Sequence, residues 1–501
     1  MSYSQEIAEH NYKELIKKTV LSLLYLVFAT YTLTYTAADP DLWGYMAFGR
    51  LFWESDKFPY KDIFAYLPTY DQWVYHEWLT GVLFFPLYQK VGASGLQLLK
   101  YCMGLATMGL LFMTALRRGA DFYSAMWVLF AIIGVLVSGY SPVRAQIFTY
   151  FFFALSLYLL ETARLTKRWK ILWCIIPIQV LWCNLHGGFL VGLGLIGFYI
   201  IGEALSRKPF IPFVIVLVFS TLATLINPYG IEYWYFFIRS IPMPRPEIVE
   251  WFSLFAVYKQ GIINTFSFLY IILTITFFVL LLLWRKPREL TACIGLGLTL
   301  YLGVKQQRHH CFFFLLAGAY MPVWLMAFLQ TMKSDIKIQS ILQRIGWKIP
   351  TVIAIFFIFL TSVKIINQNP LSLNLPLQPN PNIKFMAYYP LGAITYIKEH
   401  ALSGNILTEF SWGEYLIWAL YPQCRVSLDG RYEQVYPENI SREYFDFIHA
   451  RGDYQKFLDK YPPDMILIPS QAEIYSFIKN ESQWQKVYAD SDTVLFVKKR
   501  S

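Results

Sequence analysis

Charge is what this chain has least of. Of its 501 residues only 15% are charged, while 56% are hydrophobic and 19% are aromatic. A soluble chain of this length needs far more polar surface, so the composition excludes an ordinary soluble globule and points to a membrane protein. Cysteine is also scarce. Cys102, Cys174, Cys183, Cys293 and Cys311 lie in apolar segments, and only Cys424 sits in a polar region. No CxxC pair or metal-type Cys/His spacing occurs, which argues against a disulfide framework and against a zinc site. The net charge of +10 comes without a basic patch carrying a base-reading motif, so nucleic acid is not an expected partner. In a membrane chain such residues hold cytoplasmic loops against anionic lipid. The sequence has no internal repeat and no low-complexity tract.

Long apolar runs are what it does have. A helix crosses the hydrocarbon with roughly 20 residues, and candidates lie near 19–38, 96–116, 121–139, 145–163, 170–185, 187–204, 209–226, 264–284, 289–304, 311–330 and 350–367. The first is longer than the ~7–15 residues of a signal-peptide core and more follow it, so it reads as a retained helix. Lys13, Lys17 and Lys18 precede it. Arg117–Arg118, ARLTKRWK, SRKPF, WRKPRE and KSDIKIQSILQRIGWK follow the second, fourth, sixth, eighth and tenth. Every second connection is thus basic, which predicts a cytoplasmic N-terminus. The alternation requires that residues 77–94, a short segment carrying Pro86, form a juxtamembrane or re-entrant helix. WGYMAFGRLFW suits a helix lying in the interface.

The remaining connections then face outward, and they hold nearly all the unusual polar residues: ADPDLW, VYHEW, YSPVRAQ, CNLHGGF, INPYG with IVEW, and VKQQRHHC. Positions hundreds of residues apart converge on one membrane face. The expected organisation is a transmembrane domain over 1–367 with a first outer loop at 39–95, a Pro/Asn-rich linker at 368–385, and an extracytoplasmic α/β domain at 386–501. In that last part ITYIKEHA, WGEYLIWAL, PENISREYFDFIHA and AEIYSFIKN read as helices. GNILTEF, CRVSL and DMILIPS read as strands, and KVYADSDTVLFVK as a closing hairpin.

Asp39 and Asp41 stand at the outer mouth of the first run. Acids and Asp-Pro there can simply end a helix. Two close carboxylates can also drive their pKa values apart so that one accepts a proton. The same loop adds His76 and Glu77. Lys305, Arg308, His309 and His310 interrupt two apolar runs on the outer side, against the positive-inside trend, and Arg144 is a further outer cation. Cations at a low-dielectric boundary suit a phosphate or pyrophosphate. Asn184 and His186 neighbour Gly187–Gly188, which permit a tight turn or a close ligand approach. Glu250 adjoins Trp251. In SLDGRYEQVY, Asp429 and Arg431 read as a loop brace.

With DPDLW, HEWL, NLHGG, NPYG, WGEYL and DGR in this order, the chain resembles the GT-C class of membrane glycosyltransferases. The nearest branches are the protein O-mannosyltransferases, the aminoarabinose transferases and uncharacterised bacterial proteins of the class. The resemblance spans essentially the whole chain. It implies an α-helical polytopic membrane protein of about 11 transmembrane helices with a C-terminal soluble α/β domain, in the cytoplasmic membrane. It also implies sugar transfer at the outer face from a polyprenyl-phosphate-linked donor to an acceptor that the sequence does not name. An acid of the first outer loop faces the acceptor in that class; here the role falls on Asp41 or Asp39. The mannosyltransferases carry Asp-Glu at the first edge and His-Pro-Pro at the second. This chain has Asp-Pro-Asp and His76-Glu77-Trp78, which leaves both Asp residues open. On this reading Arg308, Lys305, His309 and Arg144 meet the donor phosphate. His76, Glu77, Asn184, His186, Glu250 and Trp251 line the sugar and acceptor pocket, and a Mg or Mn ion could sit between the two Asp residues and the phosphate. The competing readings are a transporter or flippase-like protein and a non-catalytic envelope-assembly protein.

Overall fold

The computed structural model describes residues 3–55, 57–140, 142–262, 265–283, 289–333 and 389–499, with 352, 355–356, 358–360, 362–363, 367, 369–373 and 375 between the last two blocks. The chain is mostly helical and carries a C-terminal mixed β-sheet. The helices of the first part are α1 (Tyr3–Leu33), α2 (Pro40–Glu54), α3 (Trp78–Val91), α4 (Ala93–Arg117), α5 (Phe122–Tyr140), α6 (Gln146–Thr166), α7 (Ile175–Leu185), α8 (Phe189–Leu205), α9 (Ile211–Ala223), α10 (Glu232–Ser240), α11 (Leu254–Lys259), α12 (Thr265–Leu283), α13 (Leu290–Lys305) and α14 (His310–Lys333). Among the described residues four stretches are long and apolar enough to cross a membrane: Ile7–Leu33, Ala93–Arg117, Gln146–Thr166 and Gln307–Thr331. Shorter apolar helices accompany them. Ten of the expected spans coincide with helices. The eleventh (350–367) and the linker (368–385) lie largely outside the described residues.

Two expectations about the first loop change. The first helix ends at Leu33 rather than 38, and Asp39 starts the next one. Its side chain accepts from Asp41 N–H at 3.0 Å, and Pro40 takes the first helical position, where its missing N–H and fixed φ do no harm. Nor does α2 lie free in an interface. Trp43, Tyr45 and Phe48 are at most 3% exposed. They pack on Tyr389, Tyr415, Phe84, Trp73 and Tyr75, because α3 and the C-terminal sheet region cover α2 from two sides. Helices α2 and α3 cross at Gly49 and Gly81, where a Cβ on Gly81 would stand 2.6 Å from Tyr45 O. Only small residues allow backbones this close. Helix α3 is 14 residues long with Pro86 inside, too short to span unaided.

The sheet has the order β2-β1-β3-β5-β4, with β1 (Gly404–Thr408), β2 (Cys424–Val426), β3 (Met465–Pro469), β4 (Trp484–Ala489) and β5 (Thr493–Lys498). Strand β1 is parallel to β2 and β3, and the β5 pairings are antiparallel. The runs read as strands from sequence all form strands. An unforeseen helix, Tyr454–Lys460, starts at the Asp453 cap. The first loop adds an edge to this sheet. Ala65 bridges Val426 in parallel, Tyr66 N donates to Val426 O and Val426 N to Phe64 O, each at 2.9 Å. Arg431 pairs with Asp62 beneath that edge. The two parts of the chain therefore share a sheet and a buried ion pair.

Candidate active site

At the start of α6, Arg144 gathers three acids. Its Nε lies 2.6 Å from Asp39 Oδ1, its Nη2 3.4 Å from Asp41 Oδ2, and its Nη1 2.7 Å from Glu250 Oε1. Asp39 is 9% exposed and committed to capping α2, whereas Asp41 is 36% exposed. Of the two, Asp41 is the one an incoming molecule can touch. Burial pushes the Asp39 carboxyl above its ordinary range, Arg144 pulls it back, and Asp41 adds to the rise. Glu250 is held below the usual carboxylate range by Arg144.

A second cluster adjoins the first. Glu77 Oε1 stands 3.4 Å from His186 Nε2 and 3.8 Å from His76 Nε2. His186 Nδ1 accepts from Gly188 N–H at 2.9 Å and meets Thr149 Oγ1 at 2.7 Å. The proton of the neutral ring therefore sits on Nε2, facing Glu77. Burial drives the Glu77 carboxyl up to about 8, with Asp41 adding to the rise, and drives His76 down to about 4. Burial also lowers His186. The glycines of NLHGG make this contact possible: a Cβ on Gly187 would lie 2.8 Å from His76 Cδ2, and one on Gly188 2.8 Å from His186 Nδ1.

Beside both clusters opens a cavity of about 490 Å³. Its walls are apolar faces of α8 (Leu190, Val191, Gly194, Leu195, Phe198) and α13 (Leu298, Leu302). These residues recur at the three- and four-residue spacing of one helix face. Its head is cationic. Arg308 and Arg245 stack on Trp251, with guanidinium carbons 4.4 and 4.1 Å from the ring centroid. Lys305, His309, His76 and His186 complete that end. Among the described residues Arg308 and Lys305 form no salt bridge. Arg245 pairs with Glu433 of the C-terminal region at 3.0 Å and donates to Ser240 O and Met243 O. Glu433 also lines the cavity.

The expected residues thus separate into groups. Arg308, Lys305, His309, His76, His186 and Trp251 share the cavity. Arg144 does not join the phosphate group assigned to it, because three carboxylates already claim its guanidinium. Asn184 is no pocket residue: its side chain accepts from Trp78 Nε1 at 2.8 Å and donates to Val180 O and Ile226 O, which uses the amide in packing. Glu250 faces Arg144, and Glu77 stands behind the two histidines. Asp39 and Asp41 flank the cavity rather than line it. A divalent ion between the Asp residues does not fit either, since Arg144 already supplies the positive charge there, and among the described residues no group of three His, Cys or acidic side chains converges as a metal site. Sequence reading missed Arg245 and Glu433. The one signal for Arg245 was its position between prolines just before IVEW.

No family model matches the chain, and no curated protein matches it. Its structure is similar to that of ArnT, a GT-C aminoarabinose transferase, from Cupriavidus metallidurans, solved bound to undecaprenyl phosphate. The TM-score is 0.54 at 13% identity, and the match covers 95% of this chain and 97% of that one. The chain therefore has the ArnT-like fold along nearly its full length and is a multi-pass membrane protein of that architecture. The resemblance to the GT-C class drawn from the order of short motifs is matched by the fold.

Proposed function

We propose that this protein transfers a sugar from a polyprenyl-phosphate-linked donor to an acceptor hydroxyl at the outer face of the cytoplasmic membrane, with its N-terminus in the cytoplasm and its C-terminal domain outside. The observation that carries the proposal is the cavity: an apolar trough between α8 and α13 whose head holds Arg308 and Lys305, which form no salt bridge among the described residues, next to the acid pair. A long isoprenoid with an anionic head has that shape and polarity. The ArnT-like fold, seen in a protein bound to undecaprenyl phosphate, supports the same ligand class.

Asp41, the accessible acid, takes the proton of the acceptor hydroxyl. The freed oxygen bonds to the anomeric carbon as the bond from that carbon to the phosphate oxygen breaks. The electron pair of that bond stays on the phosphate, where Arg308 and Lys305 meet the growing charge. Arg144 orients Asp41 and keeps Asp39 and Glu250 from repelling the donor. The neutral ring of His76, whose Nδ1 has no partner among the described residues, offers a hydrogen bond to the sugar, while Trp251 holds the Arg308 and Arg245 guanidinium groups in place. The products are a glycosylated acceptor and the free lipid phosphate.

The test needs no knowledge of the sugar. Purified protein in nanodiscs should bind undecaprenyl phosphate, and Lys305→Ala/Arg308→Ala should weaken that binding roughly 100- to 10,000-fold, since each of the two charge-assisted contacts contributes ~1.5–3 kcal/mol. Equal binding by wild type and double variant would overturn the proposal.

A further inference from the structure

A buried carboxyl group stands behind the acid pair without a task in the reaction above. Glu414, in the first turn of helix Gly413–Leu420, is 5% exposed and forms no salt bridge among the described residues. Its Oε2 accepts from the Gly44 N–H of α2 at 3.1 Å, three residues beyond Asp41. Glycines make room for it on every side. A Cβ on Gly44 would lie 2.5 Å from Oε2. One on Gly430 would lie 2.8 Å from Oε1 and 3.5 Å from Asp41 Oδ1, and one on Gly413 would lie 2.5 Å from Asp429 Cβ. Two motifs that the transfer reaction leaves unused, WGEYL and DGR, thus close with α2 around one carboxyl.

The groups facing Glu414 are Asp41, Asp429, Arg431, Tyr75 and Tyr389. Arg431 is the cation among them, and it is already spent. Its Nε and Nη2 donate to Asp429 at 2.7 Å each, and its Nη1 pairs with Asp62. Ionised Glu414 would set an uncompensated buried charge beside Asp41 and Asp429. Burial, and then those two acids, push its carboxyl well above the usual range.

We propose that Glu414 is a positioning residue lent to the site by the C-terminal domain: as a neutral acid it fastens the first turns of α2, and Asp41 with them, without adding charge beside Asp41. The inference rests on the reading of Asp41 as the base. It makes the C-terminal domain part of the site rather than a separable tail.

A neutral buried acid has a definite linkage sign. As pH rises through the ordinary Glu range the unfolded chain ionises and the folded one does not, so stability falls until the raised folded value is passed. Glu414→Gln keeps the shape and the Gly44 contact and removes this fall. In the full-length protein its Tm should therefore gain on wild type progressively as pH rises above the ordinary Glu range, and Asp41→Asn should shrink that gain. For transfer, Glu414→Gln should keep at least about half of wild-type activity, whereas Glu414→Ala should lose roughly 10- to 100-fold through misplacement of Asp41. A flat Tm difference across pH, a fully active Glu414→Ala, or a Glu414→Gln as inactive as Glu414→Ala would each overturn the proposal. The Tm series stays readable even if wild type transfers no sugar, so failure of the transferase reading is recognised separately.

Discussion

Helix α6 carries a buried charge cluster at each end, about 30 Å apart by its 21-residue length, and the two are built to opposite plans. At the C-terminal end Glu161 is fully buried and saturated. It accepts from Arg118 and Arg164 at 2.8 Å each, from Tyr199 at 2.6 Å and from Tyr320 at 3.1 Å. Arg164 also reaches Glu203 at 3.4 Å, Thr291 donates to Glu203 at 2.8 Å, and Arg118 pairs with Glu289. Five helices are locked together there. At the N-terminal end Arg144 is outnumbered by Asp39, Asp41 and Glu250, two of these acids reach solvent, and a cavity opens alongside whose Arg308 and Lys305 form no salt bridge among the described residues. A network in which each charge closely meets an opposite one holds structure. An unsaturated one beside a void is where a charged ligand completes the set.

Asp41→Asn is the sharpest way to break this contrast. It should lower transfer by about two to four orders of magnitude, the span of general-base catalysis, with Tm little changed. A large Tm loss would make the N-terminal cluster structural as well. Glu161→Gln should behave in the opposite sense. It strips a partner from two buried arginines and should cost about 3–5 kcal/mol of stability, seen as a lower unfolding temperature, while molecules that remain folded keep their specific activity. Arg245→Ala falls between the two: it frees Glu433 and uncovers Trp251, and should weaken undecaprenyl phosphate binding about tenfold or more, measured by titration in nanodiscs. Asn184→Ala should have the smallest effect, ~1–3 kcal/mol for the orphaned Trp78 and carbonyl groups, with activity following the folded fraction. Activity loss beyond that fraction would return Asn184 to the site.

Much of this contrast was legible beforehand. Sorting the polar connections into two sets anticipated which residues meet at which end of α6, because helix lengths and loop parity leave little choice. Arg118, Arg164 and Glu289 were counted as loop charges, however, and are ion-pair partners, the two arginines with buried side chains and Glu289 partly exposed. A basic residue after an apolar run looks the same in sequence whether it faces lipid headgroups or a carboxylate from another helix. The ion pairs of Arg144 were not foreseen for the same reason: its cationic character is local, but its three acids come from two other segments. Asp429 and Arg431 did prove to be a brace, since an i,i+2 pair in a turn needs no distant partner.

The sequence by itself determined the elements: apolar runs long enough for helices, glycines where backbones must touch, the Asp39–Pro40 start of α2, and alternating strands in the last hundred residues. These are local properties, governed by periodicity, capping and chain stiffness. Only the tertiary structure decided which charges cancel. Arg144 is ion-paired to three acids, Arg308 forms no salt bridge among the described residues, and Glu414 reaches α2 from 370 positions away, because pairing depends on distance through space in a low-dielectric interior, and nothing in a residue's own neighbourhood along the chain encodes it.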